Sequence, residues 1–162
     1  LDRDRSGPSE VWGRGVYPED GLWNTAMTYR VEYLYDDGVR MIITEAAPNG
    51  VRFEGALGWV FVSREGIDAS PKALLKESFG PDEVQLYESN DHGQNFLDCV
   101  KNRGQTITPI ETAHLSITLA HIGNIAMLTG RRLRWDPAKE DFIGDPQASA
   151  MLNRPLRAPW TL

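Results

Sequence analysis

Three histidines, one cysteine, the adjacent carboxylates Asp36-Asp37 and Asp82-Glu83 and a loop tryptophan are residues of this sequence that could do chemistry. His114 and His121 lie seven positions apart on one helical pattern, so they share a face about 10.5 Å apart along the axis. That is too far for both to ligate one metal ion, and no metal site is expected. Each histidine is expected as a polar group satisfied inside a packed layer or at the edge of a cleft. His92 falls in the first turn of its helix, an unfavourable place for a cation, and is expected neutral and hydrogen-bonded. Cys99 stands among Phe96, Leu97 and Val100 and reads as a structural, partly buried thiol. A single cysteine can form neither an internal disulfide nor a thiolate zinc site. Asp36-Asp37 and Asp82-Glu83 could divide acid and base roles only if their surroundings split their pKa values. Both fall in predicted turns and read as solvated. Trp23-Asn24 follows a glycine-rich loop, where a tryptophan serves as an anchor or as a platform for a ligand. Trp23, Asn24 and His114 are therefore the substrate-cleft candidates, and no catalytic residue is assigned.

The elements that must position these groups follow from pattern. A short strand is expected around 9–13, and Tyr17 to Gly21 reads as a loop. Tyr29, Val31, Tyr33 and Tyr35 alternate with Thr28, Arg30, Glu32 and Leu34, the period of a half-buried strand. Asp36-Asp37-Gly38 turns the chain into Val39–Thr44. Asn49-Gly50 predicts a hairpin into Val51–Gly55, and Gly58–Val62 completes a four-strand antiparallel meander. If its exposed face carries Tyr and Val side chains, the protein should form a dimer or larger assembly. Ser70-Pro71 predicts the start of a short helix, and Val84–Tyr87 a further strand. Asp91 with Gln94 predicts a capping box for a helix that ends before Gly104. Thr108, Pro109 and Glu111 predict a second capping box, opening a long helix over 109–129 that closes at Gly130. One apolar stripe on it runs through Ile110, Ala113, Ile117, Ala120 and Met127, and another through Leu115, Leu119, Ile122 and Ala126. So wide an apolar surface implies a second packing partner beyond the sheet. Residues 131–162 read as an extended arm with a short helix opening at Asp145-Pro146. Its Trp135, Phe142 and Trp160 are expected to dock on a surface.

One hundred and sixty-two residues suit one domain, 1–162, with an ordinary hydrophobic share of 41% and charged share of 25%. The net charge of −6 disfavours nucleic acid as a partner. No apolar run approaches the length that spans a bilayer, and a cytoplasmic location is expected. The first residue is Leu, so a fragment or processed product is expected. No Gly-x-Gly-x-x-Gly opens a helix after a strand; Gly13-Arg14-Gly15 comes nearest. There is no phosphate-cradling loop, no His-Glu-x-x-His and no Gly-x-Ser-x-Gly.

The order of these features resembles the C-terminal domain of the Gfo/Idh/MocA oxidoreductases, the glucose–fructose oxidoreductase and inositol dehydrogenase family. The matching residues are the meander Tyr29 to Val62 with Phe53-Glu54-Gly55-x-x-Gly58-Trp59, and the segment His92-x-x-Asn95-Phe96-Leu97-Asp98-Cys99-Val100. The long helix ending in Gly130-Arg131 and the Trp135-Asp136-Pro137 tail complete the set, and that tail resembles a bacterial subgroup. The resemblance implies an α+β fold: an open, mainly antiparallel sheet with helices packed on one face, like the C-terminal domain of glyceraldehyde-3-phosphate dehydrogenase. It further implies an N-terminal Rossmann domain outside this sequence that binds NAD or NADP, so this chain alone should bind no cofactor. A carbohydrate-like or polyol substrate and homo-oligomerisation through the sheet are implied too. The family's Glu-Lys-Pro motif and the Asp and His of its catalytic helix have no counterpart here, so the chain is expected to be inactive alone. Two alternatives compete. One is a stand-alone binding or dimerisation module without catalysis. The other is a small independent enzyme with His114 or His121 as base, which would require a carboxylate or tyrosine within hydrogen-bond reach inside a pocket.

Overall fold

The alternation in Thr28–Leu34 decides where the main core lies. In the computed structural model, which describes residues 7–160, Val31, Tyr33 and the following Tyr35 are buried, while Glu32 and Leu34 between them are half-buried and Arg30 before them is exposed. The chain gathers into two compact units. Residues up to 46 and from 108 onward form the first, and residues 47–107 form the second.

The first unit holds a five-stranded antiparallel sheet of order β3-β2-β1-β7-β8. Its strands are β1 (Glu10–Val16), β2 (Thr28–Leu34), β3 (Arg40–Thr44), β7 (Leu133–Asp136) and β8 (Asp141–Phe142). β1 is longer than expected and runs through both Gly13 and Gly15. Helix α2 (Ile110–Thr129) packs on one face of this sheet. Val11, Val31, Tyr33, Ile122, Ile125, Ala126, Leu133 and Trp135 form the core between them. The glycines of β1 permit this approach: a Cβ at Gly13 would stand 3.0 Å from Met127 Cγ, and one at Gly15 3.1 Å from its sulfur. The Tyr33 hydroxyl donates to the Leu119 carbonyl at 2.8 Å. Burial, reinforced by the neighbouring Tyr35, pushes its pKa well above the usual tyrosine range.

The opposite face of this sheet carries no tyrosine, and Val16 at the end of β1 is the one valine its strands place there. Trp12, with Arg132 stacked 4.0 Å from its ring centroid, shares that face with Glu10, Arg30, Glu32 and Arg40. Glu32 pairs with Arg40 and Arg30, whose guanidinium groups hold its carboxyl below the usual range, Arg40 most strongly. Arg132 pairs with Glu10.

Long helix α2 has the boundaries expected but not the expected start. Pro109, not Thr108, is the N-cap, and its own side chain makes no cap bond. Gly130 closes the helix in the left-handed conformation, φ 65°. Of the two apolar stripes, the one containing Ile122 and Ala126 packs on the sheet; in the other, Ile110 (76% exposed) and Ile117 (52%) face solvent while Met127 packs on β1.

Residues 131–162 are not uniformly extended. Leu133–Asp136 joins the sheet beside β1, and Trp135 meets Phe142 edge-on with ring centroids 5.0 Å apart. Both rings are buried, whereas Trp160 is exposed. Asp145 caps the short helix α3 (Pro146–Ala150) by accepting from the Ala148 N–H, and Arg131 binds the same carboxylate.

The second unit contains a separate three-stranded antiparallel sheet, so the four-strand meander is corrected to two sheets. Its strands are β4 (Val51–Gly55), β5 (Gly58–Val62) and β6 (Ile67–Ser70). β4 pairs with β5 and not with β3, so Asn49-Gly50 is not the turn of a hairpin. Ser70 ends β6 instead of capping a helix, and Lys72–Lys76 is one short 3-10 turn. Val84–Tyr87 forms no strand. Helix α1 (His92–Asn102) begins where Asp91 accepts from the Gln94 N–H at 2.9 Å. The Gln94 side chain turns forward to Asp98 and not back to the cap. Cys99 is buried and donates to the Gln105 carbonyl, as a structural thiol would. Among the described residues, no helix is long and apolar enough to cross a membrane.

Candidate functional site

A tight turn and the first two turns of α2 meet beside the Trp135 ring. In the turn joining β7 to β8, Asp136 Oδ1 accepts from the N–H groups of both Ala138 and Lys139 at 3.1 Å. Those bonds, the Lys139 N–H first, hold the Asp136 carboxyl below its usual range. The turn then brings Glu140 into the left-handed region at φ 52°, where a non-glycine residue is uncommon. From there its carboxylate reaches the His114 ring, with Nε2 and Oε1 2.8 Å apart. A carboxylate can only accept, so Nε2 carries the proton and donates. Side chains so joined can act as an oriented base with its orienting acid, or as a polar clamp on a ligand.

A cavity of about 150 Å³ lies alongside this pair, with Glu140 in its lining. Its walls include Pro8, Tyr35, Leu115, Leu119, Trp135 and Pro137. Thr112, Ser116 and Thr118 of α2 add hydroxyls. Gly7 lets the chain pass here: a Cβ on it would stand 2.7 Å from Pro137 Cβ.

The three cleft candidates are not brought together. Trp23 and Asn24 are exposed on the loop that joins β1 to β2 after Val16. His114 belongs to the other end of β1, where Pro8 and the start of α2 line the cavity. In the Trp23 loop region, burial raises the Tyr17 pKa, and its hydroxyl has no hydrogen-bond partner among the described residues. His114 and His121 are exposed and not enclosed in a packed layer; His114, bonded to Glu140, stands at the edge of the cavity, the other setting expected. His92 is exposed, and it makes no hydrogen bond among the described residues. Asp36-Asp37 and Asp82-Glu83 sit in exposed turns as expected, with Asp37 accepting from Val39 and Glu83 from Gly80. Glu140 is the residue that sequence alone did not single out. It stands 26 positions from His114, and only the β7–β8 turn joins them.

Residues 17–162 match the family described as the oxidoreductase family, C-terminal alpha/beta domain, of the Gfo/Idh/MocA type. The chain belongs to that family: it is the C-terminal domain of an oxidoreductase. A search of curated proteins gives no match.

Proposed function

We propose that this chain shapes the substrate pocket and supports the assembly of an NAD(P)-dependent dehydrogenase acting on a sugar or polyol-like substrate. The family match over residues 17–162 carries this reading. The sequence has no dinucleotide fingerprint, and Gly13 and Gly15, the nearest approach to one, lie inside β1 under Met127. In this reading a Rossmann domain supplies NAD or NADP and the catalytic residues, and the chain alone turns over nothing. The exposed Ile110 and Ile117 stripe of α2 supports a packing partner of that kind. Homo-oligomerisation through the outer sheet face belongs to the same proposal. That face carries both Arg30 and Arg40 and Glu10 and Glu32, charges of both signs that a two-fold axis could match. A cytoplasmic, bacterial enzyme fits this proposal.

Of the cleft candidates, His114 stands beside a cavity, which makes its end of β1 the better place for substrate than Trp23 and Asn24. One observation also favours the independent-enzyme alternative, since Glu140 is the carboxylate within reach of His114 that it requires. Calorimetry and turnover together test the choice. The 162-residue chain should bind neither NAD nor NADP and oxidise no sugar, while the protein joined to its Rossmann domain should do both. Micromolar cofactor binding by the chain alone would overturn the proposal.

A further inference from the structure

The geometry points to the free edge of β4 as a docking edge for a second copy of this chain, through antiparallel pairing of β4 with its twin. β4 is an outer strand of the three-stranded sheet, and each of its five residues is exposed. Its pairing with β5 fixes which backbone groups are free. Gly55 faces Gly58 across the two-residue turn Ala56-Leu57, and in such a hairpin the two flanking residues exchange both of their hydrogen bonds. Bonded and non-bonded pairs alternate from there. Val51, Phe53 and Gly55 therefore bond to β5, whereas the N–H and C=O groups of Arg52 and Glu54 point outward. Among the described residues, no further strand pairs with that edge. An unpaired edge is a template for another strand, and β4 has neither lysine nor proline nor a bulge to prevent it.

The two charges that β4 does carry choose the partner. When a strand pairs antiparallel with its own twin, one residue sits on the two-fold axis. With Arg52 on the axis, arginine would face arginine. With Glu54 there, glutamate would face glutamate, and like charges directly opposite destabilise a pair. With Phe53 on the axis, Arg52 of each copy faces Glu54 of the other, and the outward backbone groups of both residues are hydrogen-bonded. The charges already stand together: Arg52 Nε lies 2.8 Å from Glu54 Oε1, and its guanidinium 4.6 Å from the Trp59 ring centroid. Pairing closes them into a ring of alternating sign. On the other face the two Phe53 rings meet at a non-hydrogen-bonded position, where side chains approach most closely. Phe53 is 48% exposed in the single chain and so has surface to bury. Because β4 lies in the second unit, this contact is separate from the assembly proposed through the outer face of the five-stranded sheet.

The test is sedimentation equilibrium of the 162-residue chain over a rising concentration series. Wild type should self-associate. Arg52→Glu and Glu54→Arg each set like charges opposite one another at both positions, and each should weaken that association by about tenfold or more. An equimolar mixture of the two variants restores opposite charges across the seam and should associate as wild type does. Cysteine variants that keep both charges read the register directly. Phe53→Cys places two thiols across the axis and should give a disulfide-linked dimer on oxidation. Val51→Cys, about 14 Å from its twin along the strand, should not. Cys99 is buried and does not compete. A wild-type chain that stays monomeric, single charge variants that associate as well as wild type, or a mixture no heavier than its separate parts would each overturn the inference. So would a Phe53→Cys chain that stays unlinked or a Val51→Cys chain that links.

Discussion

The Tyr33 hydroxyl occupies the space beside Gly123 that a methyl group would need: a Cβ there would stand 2.2 Å from the Tyr33 oxygen. Tyr33 cannot swing aside, since it is 1% exposed and bonded to the Leu119 carbonyl. In an open helix, Gly→Ala would stabilise by about 1 kcal/mol. Here overpacking, typically about 1 to 3 kcal/mol, opposes that gain. Gly123→Ala should therefore lower the unfolding free energy in urea by about 1 kcal/mol net. Adding Tyr33→Phe, which removes the clashing oxygen, should recover part of the loss.

The same hydroxyl predicts an alkaline limit. Burial raises its pKa in the folded state, so the folded protein holds that proton more tightly than the unfolded chain does. The stabilisation is complete below the unfolded value of about 10 and is lost as pH rises beyond it. Thermal midpoints should fall above that pH, and Tyr33→Phe should flatten the fall. A fall of equal slope in Tyr33→Phe would assign it to other groups.

What was legible in the sequence was local. The Thr28–Leu34 alternation names the buried Val31 and Tyr33 because period two is a property of one strand. Gly130 and Asp145 name a helix end and a helix start because each acts within a few residues. Long-range pairing was not legible. Nothing local shows that β4 pairs with β5 and not with β3, so the two sheets were read as one, or that Leu133–Asp136 crosses to β1 and does not stay an arm. The site failed at the same point. His114 was visible as a candidate, but its partner Glu140 depends on a turn whose position in space is set by that crossing.

Asp145 has two separable roles, and pH separates them further. Its carboxylate caps α3 and binds Arg131, and its pKa lies below the usual range, chiefly because of the Ala148 N–H. With the folded pKa depressed, the stabilisation is present above the unfolded value of about 4 and is lost as pH falls below it. Asp145→Asn keeps a good cap but loses the ion pair. Asp145→Ala loses both. Thermal midpoints at neutral pH should rank wild type above Asp145→Asn above Asp145→Ala. The gap between the first two should close on acidification, and a gap that persisted would deny the ion pair its part.

Gly13 and Gly15 offer the sharpest check on what the glycines of this chain are for. In a phosphate-binding loop, a glycine leaves room for a ligand, and adding a side chain weakens ligand binding. Here the room at Gly13 is already filled: a Cβ would meet Met127 Cγ and Val31 Cγ2 at 3.0 Å and the Arg30 carbonyl oxygen at 3.1 Å. Methionine is the most adaptable of these neighbours, but the Arg30 backbone cannot retreat without breaking the β1–β2 register. Gly13→Ala should therefore destabilise the chain at the lower end of the overpacking range, by about 1 kcal/mol. Met127→Ala in the same background should relieve the contact on the helix side and leave the strand side, so the two changes should be non-additive. If a Rossmann domain supplies NAD(P) as proposed, affinity for that cofactor should be unchanged by Gly13→Ala. A loss of cofactor affinity without a loss of stability would make Gly13 part of a nucleotide site and overturn its assignment as a seat for α2.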